Sequence, residues 1–194
     1  FLHQMEGGSE TWNMTAAFRL TGTPDRDALA AALGDLVDRH EILRTTYVTD
    51  DDGEPGARIL TTAEAAGQVR VPVVEATPET ASAAVDEAIA YVFDLAADIP
   101  VLMTLVRCAP ENHVLVVVVH HIASDGSSAG PLVRDLAVAY TARLEGRAPE
   151  WEPLPAQYSD YTVWQREVLG DLADPGSLGA LQIEYWRAHL AGVP

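Results

Sequence analysis

The chain has 194 residues, with 29 acids against 12 bases and a formal net charge of −17. This length accommodates one domain or a large lobe of one, and an apolar share of 48% is too high for a disordered chain. So acidic a chain argues against DNA, RNA or an anionic membrane surface as the main partner, because each of these binds clustered Lys and Arg.

Trp12–Leu20 reads as a strand. Thr23-Pro24-Asp25 reads as a helix start, with Thr23 as N-cap, Pro24 at the first helical position and an acid in the first turn. Apolar residues at helical spacing carry this helix to about His40. Arg44–Thr49 and Ala57–Leu60 read as strands around the acidic turn Asp50–Gly56, a solvated hairpin tip without the alternating ligands of a calcium loop. Val69–Glu75 is a further strand. Thr77-Pro78-Glu79 repeats the helix-start pattern, and the helix it opens is expected to reach about Phe93.

Two strands follow, Val101–Ala109 and His113–His120, joined by a turn through Pro110-Glu111-Asn112. The first contains Cys108, the only cysteine, so the chain has no internal disulfide and no cysteine zinc site. The second contains Val114–Val119, an apolar run without polar alternation, which predicts a central strand buried on both faces. This longest apolar run falls well short of the roughly 20 residues of a membrane span. No signal peptide is visible, and a cytoplasmic location is expected. Gly130–Leu144 reads as a helix with Leu132, Val133, Leu136 and Tyr140 on one side, and Gly146–Pro155 as a connection. Ala156–Leu169 and Leu178–Leu190 are two more helices across the loop Asp174-Pro175-Gly176. Strands and helices in mixed order predict an α/β lobe with helices layered over a mixed sheet.

Chemistry concentrates in three segments. His120-His121-Ile122-Ala123-Ser124-Asp125-Gly126 lies where the buried strand runs into a Gly/Ser turn ahead of a helix. Successive strand side chains face opposite ways, so one histidine is expected to face the packed interior and the other a cavity. That geometry is poor for a metal, and no third ligand stands at suitable spacing. Two readings stand: a pair of buried, hydrogen-bonded histidines, or an imidazole placed to move a proton or orient a nucleophile. Asp125 is placed to accept from an imidazole or to pair with a buried arginine. Gly126 leaves a backbone N–H open to a ligand oxygen. In Arg39-His40-Glu41-Ile42-Leu43-Arg44-Thr45-Thr46-Tyr47, Arg39 and Arg44 are either solvated cations at a helix end or the partner of Asp125. Tyr161, Trp164 and Val168 fall at i, i+3 and i+7 of a helix, the spacing of an aromatic core stripe.

These segments, in this order, resemble the condensation domains of nonribosomal peptide synthetases. His120–Gly126 matches the family's HHxxxDG motif and Arg39–Thr45 its RHExLRT motif. Tyr158–Gln165 is similar to YxDFAxWQ, with Tyr161 in place of Phe and Thr162 in place of Ala. Glu184–Pro194 resembles the YWxxxLAGxP stretch, and Phe1-Leu2 resembles the end of the family's first motif. The resemblance spans essentially the whole chain. It implies a chloramphenicol acetyltransferase-like lobe with a mixed, mostly antiparallel sheet. It also implies that residues 1–194 are the N-terminal lobe of a two-lobed domain, the first motif truncated and the C-terminal lobe absent.

The implied reaction is peptide-bond formation. The amine of an aminoacyl group on a downstream acceptor carrier protein attacks the thioester on an upstream donor carrier protein. Both groups hang on phosphopantetheine arms of the carriers, so no cofactor or metal is expected in the domain itself; an adenylation domain is the expected neighbour. By position His121 is the active-site residue, as general base or as a positioning group. His120 and Asp125 are expected to be structural, with Asp125 paired to Arg39 and Arg44 as second candidate. Gly126 is expected to place backbone near the thioester carbonyl, and Trp164 to support the site or the core. The HHIASDG version followed by Gly130-Pro131-Leu132 resembles the subtype joining an L-donor to an L-acceptor. The alternatives are a noncatalytic condensation-like docking platform, whose known relatives lose the second histidine, and another acyltransferase or epimerisation domain of the superfamily. A coenzyme A-dependent acyltransferase needs a basic nucleotide site, for which a charge of −17 offers little.

Overall fold

Polar alternation is missing from Val114–Val119 because of where the strand lies. β6 (Asn112–His120) runs between β1 (Asn13–Thr21) and β5 (Val101–Ala109), antiparallel to both, in a sheet of order β1-β6-β5-β4. The short β4 (Val73–Glu75) pairs parallel with β5. The computed structural model describes residues 7–49 and 55–193, which fall into two units, Phe1–Pro153 and Leu154–Pro194.

In the first unit, Leu115, Val117 and Val119 share one face of the sheet with Val101, Met103 and Leu105. They pack on α1 (Arg26–Arg39) and on an α4 helix (Ala129–Leu144) that lies against it. Val116 and Val118 share the other face with Val106 and Cys108, and pack with Phe93 under α3 (Ala81–Ile89). The expected layering of helices over a mixed, mostly antiparallel sheet is therefore the observed architecture. A bidentate pair locks α1 to α4: Arg143 Nε donates to Asp35 Oδ2 at 2.7 Å and its Nη2 donates to Oδ1 at 2.5 Å. β2 (Thr45–Thr49) and β3 (Pro55–Ile59) form a separate antiparallel pair. Most of the expected Asp50–Gly56 tip, and the Phe1-Leu2 resemblance, lie outside the described residues. Among the described residues no helix is long and apolar enough to cross a membrane.

Element boundaries differ from expectation where side chains compete for the same backbone groups. The N-cap of α1 is Asp25, not Thr23: Asp25 Oδ1 accepts from Ala28 N–H at 2.9 Å, while the Tyr140 hydroxyl accepts from Asp25 N–H at 3.0 Å. The tertiary contact from α4 thus selects between two residues that are both good caps. Asp25→Ala is expected to cost about 1 kcal/mol in a denaturation midpoint, and Thr23→Ala less than about 0.5 kcal/mol.

α3 starts at Ala81 rather than near Pro78, since the Thr80 hydroxyl accepts from Thr77 N–H at 2.8 Å and holds the preceding residues in a turn. It stops at Ile89, short of Phe93, because Asn13 Nδ2 on β1 donates to Ile89 O at 3.0 Å and to Tyr91 O at 2.7 Å. The expected strand from Val69 shortens to Val73–Glu75, as Pro72 has no N–H for a ladder. A short α2 (Thr62–Ala66), closed by a Thr61/Glu64 capping box, stands where no helix was expected.

The second unit consists of α5 (Tyr158–Leu169) and α6 (Leu178–His189). Gly170 ends α5 at φ 70°, a conformation that favours glycine. Gly179 lets the start of α6 approach closely, since a Cβ there meets the Leu172 side chain at 2.5 Å.

Candidate active site

The end of β6 holds the two histidines in a continuing ladder. His120 N–H donates to Pro100 O at 3.0 Å, and His121 N–H donates to Trp12 O at 2.7 Å, one residue beyond the strand. Ala123 N–H then donates to His120 O at 2.9 Å and turns the chain. The His120 side chain is buried, with its ring edge-on to Phe93 at 6.0 Å between centroids. Its Nδ1 accepts from Ile122 N–H at 3.1 Å, so a neutral ring carries its proton on Nε2. His121 is exposed. One ring is therefore buried and the other exposed, as alternation suggests, but both reach the same cavity rather than only one of them.

A cavity of about 810 Å³ opens at this strand end, within the range of small-molecule sites. Both histidines and Ile122 line it, together with Trp12 ahead of β1, Tyr47 and Val48 of β2, and Val92–Ala96 after α3.

Asp125 does not pair with Arg39 or Arg44. Its Oδ1 accepts from Ser128 N–H at 2.9 Å and from the Ser128 hydroxyl at 2.6 Å, closing the turn that leads into α4. The Ser128 hydroxyl and then its N–H hold the Asp125 carboxyl below its ordinary pKa, and the charge of His121 acts in the same direction. A partner three residues away needs no long loop to be closed, and this local pairing wins over a distant cation. Gly126 beside it has a negative φ, and a Cβ there meets nothing within 4 Å. Nothing among the described residues demands glycine at this position. Gly126→Ala is therefore expected to leave the thermal midpoint unchanged, which calorimetry checks.

Arg39 instead meets a residue that the sequence reading missed. Its Nε donates to Asp135 Oδ2 at 3.0 Å, its Nη1 donates to Glu152 O at 3.0 Å, and its guanidinium lies 4.7 Å over the Trp151 ring. His40 Nε2 donates to the same Asp135 Oδ2 at 3.0 Å. Burial pushes Asp135 up, but the hydrogen bonds from His40 and Arg39 outweigh it and hold this carboxyl below its usual value. The signal was present in the sequence: Asp135 falls among the buried α4 positions Leu136, Ala139 and Ala142 at helical spacing, and a buried acid requires a cation. Arg44 donates from Nη1 to Leu60 O at 2.6 Å and reaches Glu41 at 3.5 Å, which ties the segment after α1 to the end of the β2–β3 pair. The Arg39–Thr45 segment therefore braces α1, α4 and the β2–β3 pair.

Comparison with known proteins decides what these segments belong to. The Condensation domain family matches residues 1–193. The chain belongs to the condensation domain family. Over its full length it is 50% identical to the probable non-canonical nonribosomal peptide synthetase CymA of Salinispora arenicola, of which it covers 2%. It is 47% identical to the isonitrile lipopeptide synthase of Mycobacterium tuberculosis, of which it covers 8%. The crystal structure of the X-domain from teicoplanin biosynthesis superposes with a TM-score of 0.84 at 42% identity, covering 94% of this chain and 39% of that one. The chain thus spans a small part of these synthetases and less than half of that solved domain. The chloramphenicol acetyltransferase-like fold expected from the sequence is the fold of the first condensation domain of the CDA synthetase, which matches with a TM-score of 0.74 at 21% identity, covering 100% of this chain and 48% of that one.

In this condensation-domain chain the HHxxxDG segment, His120–Gly126, supplies the strand end and the turn beside the cavity. The YxDFAxWQ-like segment lies on α5 of the second unit. Tyr161 and Trp164 stack there at 5.6 Å, but Tyr161, Trp164 and Val168 are all exposed, Trp164 by 56%. The aromatic stripe expected as core is thus exposed on α5.

Proposed function

We propose that residues 1–194 form the N-terminal lobe of a condensation domain that makes peptide bonds in a nonribosomal peptide synthetase, joining an L-donor to an L-acceptor. The observation that carries this reading is the exposed His121, held by its backbone at the mouth of a cavity and beside a buried partner histidine. Family membership and the intact HHxxxDG segment support it.

In the proposed reaction the acceptor amine attacks the donor thioester carbonyl. A C–N bond forms, the C–S bond breaks, and the donor arm leaves as a thiol with the proton lost by nitrogen. The α-amine has a pKa near 8, so about a tenth of it is already neutral at pH 7. His121 is then asked to orient the amine and to receive its proton as the bond forms. General-base assistance of this kind contributes roughly 10²–10⁴-fold. The phosphopantetheine arms arrive with upstream and downstream carrier proteins, and the domain brings no cofactor of its own. A cytoplasmic location and an adjacent adenylation domain complete the proposal.

The complete domain, given loaded donor and acceptor carriers, is expected to move the donor acyl group onto the acceptor carrier. The 194-residue lobe alone is expected to give none, because the reacting atoms must be held within about 3–3.5 Å by walls on both sides. Turnover by the lone lobe contradicts the half-site reading.

A second reading is favoured by one observation. The X-domain of teicoplanin biosynthesis, solved in complex with OxyB, is 40% identical to this chain at a TM-score of 0.83. On that reading the domain is a docking platform. Carrier binding without any acyl transfer by the complete domain is its signature.

A further inference from the structure

The lining of the cavity beside His121 is sorted by polarity. The imidazoles of His120 and His121 stand at the strand end, and Asp94 is the one carboxylate among the described lining residues. Asp94 Oδ1 already accepts from Ala96 N–H at 3.0 Å. The remaining wall is aromatic and aliphatic, chiefly Trp12, Tyr47, Val48, Val92, Leu95 and Ile122. The lining extends beyond the two histidines along this wall, so it can meet the group attached to a reacting carbonyl or amine.

We infer that this wall selects the side chain of one of the two aminoacyl groups, and that it takes a bulky apolar chain, aliphatic or aromatic, and rejects a charged one. The inference rests on the condensation reading above and names its substrate class. The physical reason is desolvation. A reacting centre fixed at His121 directs the attached side chain along the apolar wall. A Leu or Phe side chain leaves water there at a gain, whereas a Lys or Asp side chain loses hydration against it, and Asp94, the one carboxylate among the described lining residues, is already engaged by Ala96 N–H.

The test uses the complete domain with donor and acceptor carriers loaded enzymatically with Leu, Phe, Lys or Asp. One arm varies the donor with the acceptor fixed, and the other varies the acceptor with the donor fixed, so the two sources of the side chain are told apart. In one arm, Leu and Phe are expected to transfer at least 100-fold faster than Lys and Asp. Val92→Asp puts a carboxylate into the wall at a position 47% exposed, where folding tolerates it. It is expected to keep the wild-type melting temperature, to slow Leu and Phe transfer at least tenfold and to narrow the gap to Lys, while Val92→Leu keeps the wild-type preference. Equal transfer of all four amino acids in both arms overturns the inference and leaves the condensation reading standing. A preference unmoved by Val92→Asp also overturns it, since selection then lies elsewhere. Absence of transfer with every loaded carrier overturns the condensation reading and the inference with it.

Discussion

Asp135→Asn should destabilise the first unit by about 3 kcal/mol, the low end of the range for removing one partner of a buried ion pair. Asp135 is reached by both Arg39 and His40 at 3.0 Å, and its side chain is only 10% exposed. The amide keeps the shape but removes the negative charge on α4 that Arg39 and His40 both meet. Arg39 retains the Glu152 carbonyl and the Trp151 face, which is why the loss falls at the low end.

The effect carries a pH signature. Asp135 is held below its ordinary carboxylate value in the folded protein, so folding favours the ionised form. The stabilisation is fully present above the unfolded value near 3.9 and is lost as pH falls through the lower folded value. Urea midpoints of wild type and Asp135→Asn are therefore expected to differ at pH 7 and to converge as the pH is taken below about 4. A gap that persists undiminished at low pH shows that the carboxylate charge is not what braces α1 on α4.

His121→Ala should lower the rate of acyl transfer by the complete domain by roughly 10²-fold or more, with carrier binding unchanged. The ring is exposed at the cavity while its backbone is fixed to Trp12, so truncation removes a functional group and little packing. His121→Asn separates the two roles. An amide donates and accepts hydrogen bonds but takes no proton. Recovery of tenfold or more over the alanine variant assigns orientation as the main contribution, and failure to recover assigns proton transfer. His120→Ala, by contrast, is expected to lower the melting temperature, since that ring fills space against Phe93.

The parts of the fold legible in the sequence are those set by local pattern. Val114–Val119 announced a central strand because a chain buried on both faces cannot alternate. The burial of His120 beside an exposed His121 followed from strand geometry, although both rings turn out to line one cavity. What sequence pattern did not show is settled by contacts between distant segments. The choice of Asp25 over Thr23 depends on the Tyr140 hydroxyl, more than a hundred residues along the chain. The shortening of α3 depends on Asn13. The partner of Arg39 was misread because Asp125 is conspicuous in a motif, whereas Asp135 looks like one more polar residue of a helix until its spacing against Leu136 and Ala139 is counted. The cavity wall was not foreseen either, since Val92 and Leu95 come from a segment with no chemical motif of its own, and Tyr47 stands at the end of the Arg39–Tyr47 segment, where attention fell on the two arginines.

The most direct test is the intact mass of the acceptor carrier after incubation of the complete domain with loaded donor and acceptor carriers, wild type beside His121→Ala. The account predicts that the donor acyl group appears on the acceptor carrier with wild type and that its rate of appearance falls by roughly 10²-fold or more with the variant. Equal transfer by the two proteins contradicts the claim that the cavity at His121 is where the bond is made.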